Sequence, residues 1–147
     1  MAATITGTSV GRVKPTRLIG LEQHKDERGC VSVVESDHTA GFPVERVYFL
    51  HDLASGTSRG GHAHRQLEQL FIAAHGSFTI RLDDGHHQAE YELNDPGTGL
   101  YVGPMVWRDL SGFSDGGVCL VLASQHYEEA DYYRDYEEFL RDSRQFG

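Results

Sequence analysis

Arg59-Gly60-Gly61-His62-Ala63-His64-Arg65-Gln66-Leu67-Glu68-Gln69 is the stretch whose reading decides the fold. Residues two apart on a β-strand share one face, so His62 and His64 project two imidazoles into the same space. On either side, Val44-Glu45-Arg46-Val47-Tyr48-Phe49-Leu50 and Leu70-Phe71-Ile72-Ala73-Ala74 read as strands, with a Gly/Ser loop between the first of them and the histidines. A pair of imidazoles at the start of such a strand faces a cavity. Taken alone, H-x-H is a weak signal, because the chain has nine histidines and histidine also serves as an ordinary surface or core residue.

Outward from this stretch the punctuation is all-β. Short apolar runs separated by turn residues fall at 17–21, 30–35, 45–51, 68–74, 77–83, 88–93, 99–102, 106–108 and 118–123. Asp83-Asp84-Gly85 supplies a hairpin turn from residues that tolerate positive φ, and Lys25-Asp26-Glu27-Arg28-Gly29 supplies another turn. Residues 1–16 read as a loose leader and 17–147 as one domain. Only the end departs from the strand pattern: Tyr132, Tyr133, Tyr136, Phe139 and Leu140 recur at helical spacing, which predicts one amphipathic helix over 131–142. Its aromatic stripe is expected to pack against the barrel or a partner subunit, with Tyr127 and Tyr132 at the corner as possible ligand contacts.

The 147 residues, 39% of them apolar, suit a single soluble domain with a sizeable core, and no apolar run is long enough for a bilayer. The N-terminal stretch lacks the charged head and apolar core of a secretory signal, which makes the cytoplasm the expected compartment. Cys30 and Cys119 cannot make a disulfide framework; each lies among apolar strand residues and is expected as a small buried hydrophobe. A formal charge of −9 argues against nonspecific binding to a nucleic-acid backbone. Arg28, Arg46, Arg59, Arg65 and Arg108 nevertheless lie close to the strand motifs, and those that face the barrel mouth are suited to a small anion such as a diphosphate.

With Gly56 included, the spacing G-x5-H-x-H-x3-E over Gly56, His62, His64 and Glu68 resembles the first motif of cupin barrels. A metal-binding cupin adds a second motif, P-x-G-x2-H. Here that frame reads Pro104-Met105-Val106-Trp107-Arg108-Asp109, with Val106 at the glycine and Asp109 at the histidine position. The three-His-plus-carboxylate set is incomplete, and a pocket without metal or other cofactor is favoured over a site of His62, His64, Glu68 and Asp109.

Several separated segments extend the resemblance. They include Asp26-Glu27-Arg28-Gly29, Arg46-Val47-Tyr48, Arg59-Gly60-Gly61-His62-Ala63-His64, Leu67-Glu68-Gln69, Gly99-Leu100-Tyr101-Val102-Gly103-Pro104, Trp107-Arg108 and Asp131-Tyr132-Tyr133-Arg134-Asp135-Tyr136. In these segments the chain resembles the sugar 3,4-ketoisomerases, metal-independent WxcM-like cupins acting on dTDP-4-keto-6-deoxy-D-glucose in dideoxy-aminosugar biosynthesis. The resemblance implies an all-β jelly-roll barrel with a short C-terminal helix, a homodimer, and no membrane or nucleic-acid partner. It places the catalytic base at His62, with His64 beside it and Tyr48 as proton donor or carbonyl orienter. Arg59 and Gln69 match pocket positions for sugar hydroxyls or the diphosphate, and Arg46 and Arg108 join the substrate-binding set. Arg28 falls where the family varies between Arg and Tyr, and Arg resembles the branch whose product is galacto at C4. Tyr133 and Gly61 depart from the family's usual residues at packing and loop positions.

The residue types suit that chemistry on their own terms. Moving a carbonyl from C4 to C3 removes the C3 proton, passes through an enediol and delivers a proton to C4. A neutral imidazole titrates near physiological pH and performs such transfers, while donors around the oxyanion lower its energy. Other classes remain in view: a metal-dependent cupin, a sugar-nucleotide 3,5-epimerase, and a non-catalytic sugar-nucleotide-binding module. The last of these keeps the arginines and aromatics but does not need both histidines.

Overall fold

The structure is a computed structural model that describes residues 4–6 and 13–146. Two antiparallel sheets are packed face to face. One runs β2 (Thr16–Gly20), β10 (Thr98–Val102), β7 (Gln69–His75), β12 (Val118–Ala123) and β5 (Arg46–Leu50). The other runs β1 (Thr4–Thr6), β9 (Gln88–Leu93), β8 (Phe78–Asp83), β11 (Trp107–Ser111), β6 (Arg59–His64) and β13 (Tyr132–Tyr133). A separate hairpin pairs β3 (Glu22–Asp26) with β4 (Gly29–Val33). The helices are α1 (Ser36–Ala40) and α2 (Tyr136–Phe146). This is the jelly-roll cupin barrel with a short C-terminal helix that the sequence predicts. No helix among the described residues is long and apolar enough to cross a membrane.

The alternation of side chains builds the layers. Phe71, Ile80, Leu82, Leu100, Leu110 and Val121 point between the sheets and are buried. Burial of this kind stabilises by about 1.5–3 kcal/mol per large side chain. On the opposite face of the five-stranded sheet, Leu70, Ile72, Tyr101 and Leu122 pack under Leu21 and Phe42. Outside the six-stranded sheet, Trp107, Tyr133 and the fully buried Phe139 form a third cluster that docks α2. The aromatic stripe is therefore packing, as expected, except for Tyr132.

The helix begins later than its periodicity suggests. Asp131 accepts the backbone N–H groups of Gln66 (2.8 Å) and Leu67 (3.2 Å), and its own carbonyl accepts the Arg65 N–H. Those bonds hold the chain against β6, so Tyr132 and Tyr133 pair with His64 and Ala63 as a strand. Asp135 Oδ1 then accepts the Glu137 N–H at 2.9 Å and starts α2, an N-cap worth about 1 kcal/mol. Tertiary hydrogen bonds override local helical spacing here.

Two further expectations are corrected. Cys30 is exposed, because none of the described residues covers the β3–β4 hairpin, whereas Cys119 is buried and its thiol is pushed up to about 12 by burial. The short helix α1 was not expected; it stops at Gly41, whose φ of 84° allows its N–H to reach the Asp37 carbonyl. Of the leader at 1–16, residues 1–3 and 7–12 lie outside the described residues, while Thr4–Thr6 pair with β9 and Val13 is buried in the core.

The histidine strand is bent by a bulge at its start. His62 opposes Arg108 across the β6–β11 ladder, but Gly60 opposes Asp109, so Gly61 is the extra residue. Gly60 has φ 98°, and a Cβ there would lie 2.9 Å from the Arg108 carbonyl oxygen and 3.2 Å from Asp109 Cα, both rigid backbone. Replacing Gly60 by Ala is expected to destabilise by about 1–3 kcal/mol and to misplace His62. Urea unfolding together with turnover at matched folded fraction checks both effects.

Candidate active site

The inward faces of β5, β6 and β11 enclose a cavity of about 420 Å³, within the range of small-molecule sites. Arg46, Tyr48, Arg59, His62, Arg108 and Tyr132 line it, with Arg134 beside Tyr132 and no carboxylate among the lining residues. β6 lies between β11 and β13, which sets His62 opposite Arg108 and His64 opposite Tyr132. The two imidazoles meet edge to face at 4.9 Å, and Tyr132 lies 5.0 Å from His62 and 4.4 Å from His64.

The two histidines have different surroundings. His62 opens on the cavity and makes a hydrogen bond with the Gly60 backbone. His64 is buried behind it: Nδ1 lies 3.1 Å from Asp131 Oδ2, and Nε2 has no hydrogen-bond partner among the described residues. An N–H at Nδ1 donates to the carboxylate, which leaves the lone pair on Nε2. Burial, helped by the positive charge of Arg108, lowers His62 to about 4 and His64 to about 2. Both rings are neutral at physiological pH, the form a general base requires.

Arg108 is fully buried and donates from Nε and Nη2 to the Val106 carbonyl and from Nη1 to Gln69 Oε1. Gln69 Nε2 in turn donates to the Tyr48 hydroxyl at 3.0 Å. Burial raises the Tyr48 hydroxyl above its usual value, so it stays protonated and available as a donor. Arg46 stacks 5.3 Å from the Tyr48 ring centre, and its Nε is buried without a partner among the described residues. Arg134 covers Tyr132 at 4.1 Å while holding Glu129 through two bonds of 2.6 and 2.9 Å. Those bonds, with one from the Tyr127 hydroxyl, pull the Glu129 carboxyl down to about 2.

Of the residues expected from sequence, His62, Tyr48, Arg46, Arg59 and Arg108 are brought together around the cavity. His64 and Gln69 stand one layer behind. Gln69 has one end of its amide on Arg108 and the other on Tyr48, so it holds cavity residues rather than offering a free amide to a ligand. Arg28 is not part of this chain's cavity: it sits at the β3–β4 turn with its side chain 85% exposed, bonded to Asp26 through Nε at 3.2 Å and Nη2 at 2.7 Å. Arg65, too, faces away, over the Tyr133 ring. Sequence reasoning missed Asp131 and Arg134, whose segment reads as part of the helix; the quoted Asp131-Tyr132-Tyr133-Arg134 match is the signal that could have found them.

The alternative ligand set does not converge. Glu68 accepts the Tyr101 hydroxyl at 2.5 Å on the outer face of the sheet, and Asp109 points outward from β11 into a smaller cavity beside Trp107 and Tyr136. Among the described residues no group of three or more His, Cys, Asp or Glu is placed to hold a metal ion.

A jelly-roll barrel with an imidazole, a tyrosine and several arginines in its cavity defines the chain as a cupin. More particularly, residues 14–144 match the family described as "FdtA: WxcM-like, C-terminal", and the chain belongs to that family. The chain is 40% identical over 125 residues to the TDP-4-oxo-6-deoxy-alpha-D-glucose-3,4-oxoisomerase of Aneurinibacillus thermoaerophilus, covering 85% of this chain and 90% of that one. Among solved structures it is similar to a His-to-Asn mutant of the 3,4-ketoisomerase QdtA from Thermoanaerobacterium thermosaccharolyticum in complex with TDP-4-keto-6-deoxyglucose, with TM-score 0.89, 35% identity, and 91% and 97% of the two chains covered. It is also similar to the WlaRB TDP-quinovose 3,4-ketoisomerase of Campylobacter jejuni, with TM-score 0.84, 40% identity, and 88% and 99% covered.

The depressed histidines make a pH prediction. Each is protonated in the unfolded chain below about 6.5 but stays neutral in the folded barrel until a lower pH, so the unfolded state binds more protons in between. Their contribution to stability is complete above pH 6.5 and is lost as pH falls from 6.5 toward 4 for His62, and further still for His64. In kcat/KM the acid limb due to His62 is expected near pH 4 rather than 6.5. Melting temperature and initial rates from pH 8 to 4.5 check this; a limb at 6.5 would show His62 to be solvated.

Proposed function

We propose that the protein is a sugar-nucleotide 3,4-ketoisomerase that converts dTDP-4-keto-6-deoxy-D-glucose to the 3-keto isomer in making dideoxy-aminosugars. The observation that carries this reading is His62: a neutral imidazole opening on a cavity it shares with a protonated tyrosine and a buried guanidinium. His62 takes the C3 proton, and the C3–H electron pair forms the C3–C4 double bond as the C4 carbonyl becomes an enediolate oxygen. Tyr48 donates to that oxygen, and Arg108 stabilises its charge in a site where water does not screen it. Loss of the O3 proton forms the C3 carbonyl while C4 receives a proton. No electrons leave the sugar, so the cycle needs no redox partner. Arg46, whose Nε–H has no partner among the described residues, and Arg59 line the cavity and in this reading bind the diphosphate.

Incubating the protein with the ketosugar in D2O and following it by NMR tests the reading, because carbonyl migration with deuterium at C4 separates it from 3,5-epimerisation. Replacing His62 by Asn is expected to slow turnover by about 10²-fold or more while nucleotide affinity changes little. A folded His62→Asn protein that exchanges the C3 proton at the parent rate would overturn the assignment.

The working form in this reading is a homodimer. β5 is an edge strand carrying Arg46 and Tyr48 inward and the half-exposed Val47 and Phe49 outward, and the uncovered β3–β4 hairpin exposes Val31. An unpaired apolar edge beside an unsupported hairpin favours strand pairing with a second copy. A hairpin laid along the β5 edge of a second copy delivers Arg28 towards that copy's cavity, where the resemblance associates Arg with the galacto configuration at C4. Light scattering at micromolar concentration is expected to give twice 16.4 kDa. Val31→Asp is expected to shift the mass toward monomer, and the coupling constants of the NMR product report the C4 configuration.

A further inference from the structure

Arg108 fixes more than charge in this cavity, because hydrogen-bond polarity passes along a chain of side chains that starts from it. A guanidinium has donors and no acceptor. Its Nη1 meets the Gln69 side chain, so the Gln69 atom facing it must be the carbonyl oxygen, and the other two contacts of Arg108, to the Val106 carbonyl, hold the fork in place. The Gln69 amide therefore turns its NH2 toward Tyr48, 3.0 Å from the hydroxyl oxygen. An NH2 only donates, so the Tyr48 oxygen accepts. A phenol has a single proton, and here that proton is left free to point elsewhere. Tyr48 lines the cavity beside His62, and among the described residues its hydroxyl makes no other hydrogen bond.

We propose that Gln69 is a positioning residue which, locked by Arg108, keeps the Tyr48 hydroxyl an acceptor on its protein side and thus a donor toward the sugar. This deepens the ketoisomerase reading and rests on it. Glutamine is required at 69 for its two ends: an acceptor for Arg108 and a donor for Tyr48. Glutamate keeps the length, the shape and the acceptor for Arg108, yet presents a second acceptor to Tyr48. The hydroxyl then donates to the carboxylate and is withdrawn from the substrate.

Packing alone gives the opposite ranking from polarity, which makes the test decisive. If Gln69 were merely structural, Gln69→Glu, which keeps the contact with Arg108, would be milder than Gln69→Leu, which loses both contacts. In the polarity relay Gln69→Glu is the more damaging: kcat is expected to fall about 10²-fold with KM within a few-fold, the size of effect seen on losing one donor to a developing oxyanion. Gln69→Leu leaves the hydroxyl unheld but not reversed and is expected to lose about 10-fold or less. Tyr48→Phe added to Gln69→Glu should lower kcat little further, since the donor is already lost; double-mutant comparison reads that coupling. A Gln69→Glu enzyme with near-parent kcat, or one milder than Gln69→Leu at matched folded fraction, overturns the proposal, as does full additivity with Tyr48→Phe. If Gln69→Glu does not fold, Gln69→Leu with Tyr48→Phe replaces it, and additive losses in kcat then sink the relay. Failure of the parent protein to isomerise the ketosugar would instead be failure of the ketoisomerase reading, and it is seen before any variant is made.

Discussion

A guanidinium closed off from solvent stands at the centre of the barrel, and the rest of the site depends on how it is satisfied. Removing a cation from water costs several kcal/mol unless its donors find acceptors. Arg108 finds them in the Val106 carbonyl and in Gln69 rather than in a carboxylate, so its positive charge remains uncancelled within the cavity. Even so large a burial lowers it only to about 10, and it remains protonated at any pH of interest. The same charge pushes down both histidines and favours ionisation of Tyr48, against the burial that raises it. One cation thus favours the neutral form of both imidazoles and, in the proposed mechanism, stands ready for the negative charge that proton abstraction creates.

Near-equivalence in sequence hides a division of labour between the two histidines. His62 and His64 share a strand face, and that is all an alternation of two can say. What separates them is the strand on the other side of β6: Asp131 reaches the inner ring and anchors it through Nδ1, whereas the outer ring has only the Gly60 backbone and the open cavity. Two imidazolium ions 4.9 Å apart in this space would repel one another, so only one ring can carry a proton through a cycle. In the proposed mechanism that task falls to His62, which lines the cavity, while His64 is buried behind it and held by Asp131.

Much of the barrel was legible because its signals are local. Alternating apolar residues, turn pairs such as Asp84-Gly85 and the H-x-H frame each depend on neighbours in the chain, and they located most strands and five of the cavity's residues. The later failures are all long-range. Residues 131–133 have helical spacing but are held as strand by bonds to Gln66, Leu67 and Arg65, more than sixty positions away. Cys30 reads as a core residue because its apolar neighbours alternate correctly, although none of the described residues covers that hairpin. Gln69 was legible as a pocket position but not in its role, since a sequence cannot show that both ends of an amide are already taken.

Arg28 and Arg108 face opposite versions of the same problem. Arg108 is buried in its own barrel and cannot choose its surroundings; Arg28 stands in water, tied among the described residues to Asp26, and an ion pair so exposed is weak. So weak a tether is readily exchanged for a phosphate or a sugar oxygen if the hairpin is carried to another cavity. The β5 edge offers that route, because its inward residues, Arg46 and Tyr48, already belong to the site while its outward ones are apolar and uncovered. Pairing there would bury Val47 and Phe49, complete the sheet and add a cation to a cavity that has no carboxylate. Association and chemistry would then depend on the same strand, so a substitution that loosens the edge should alter stereochemical outcome before it abolishes proton transfer, which the proposed mechanism assigns to His62 and Tyr48 of one chain.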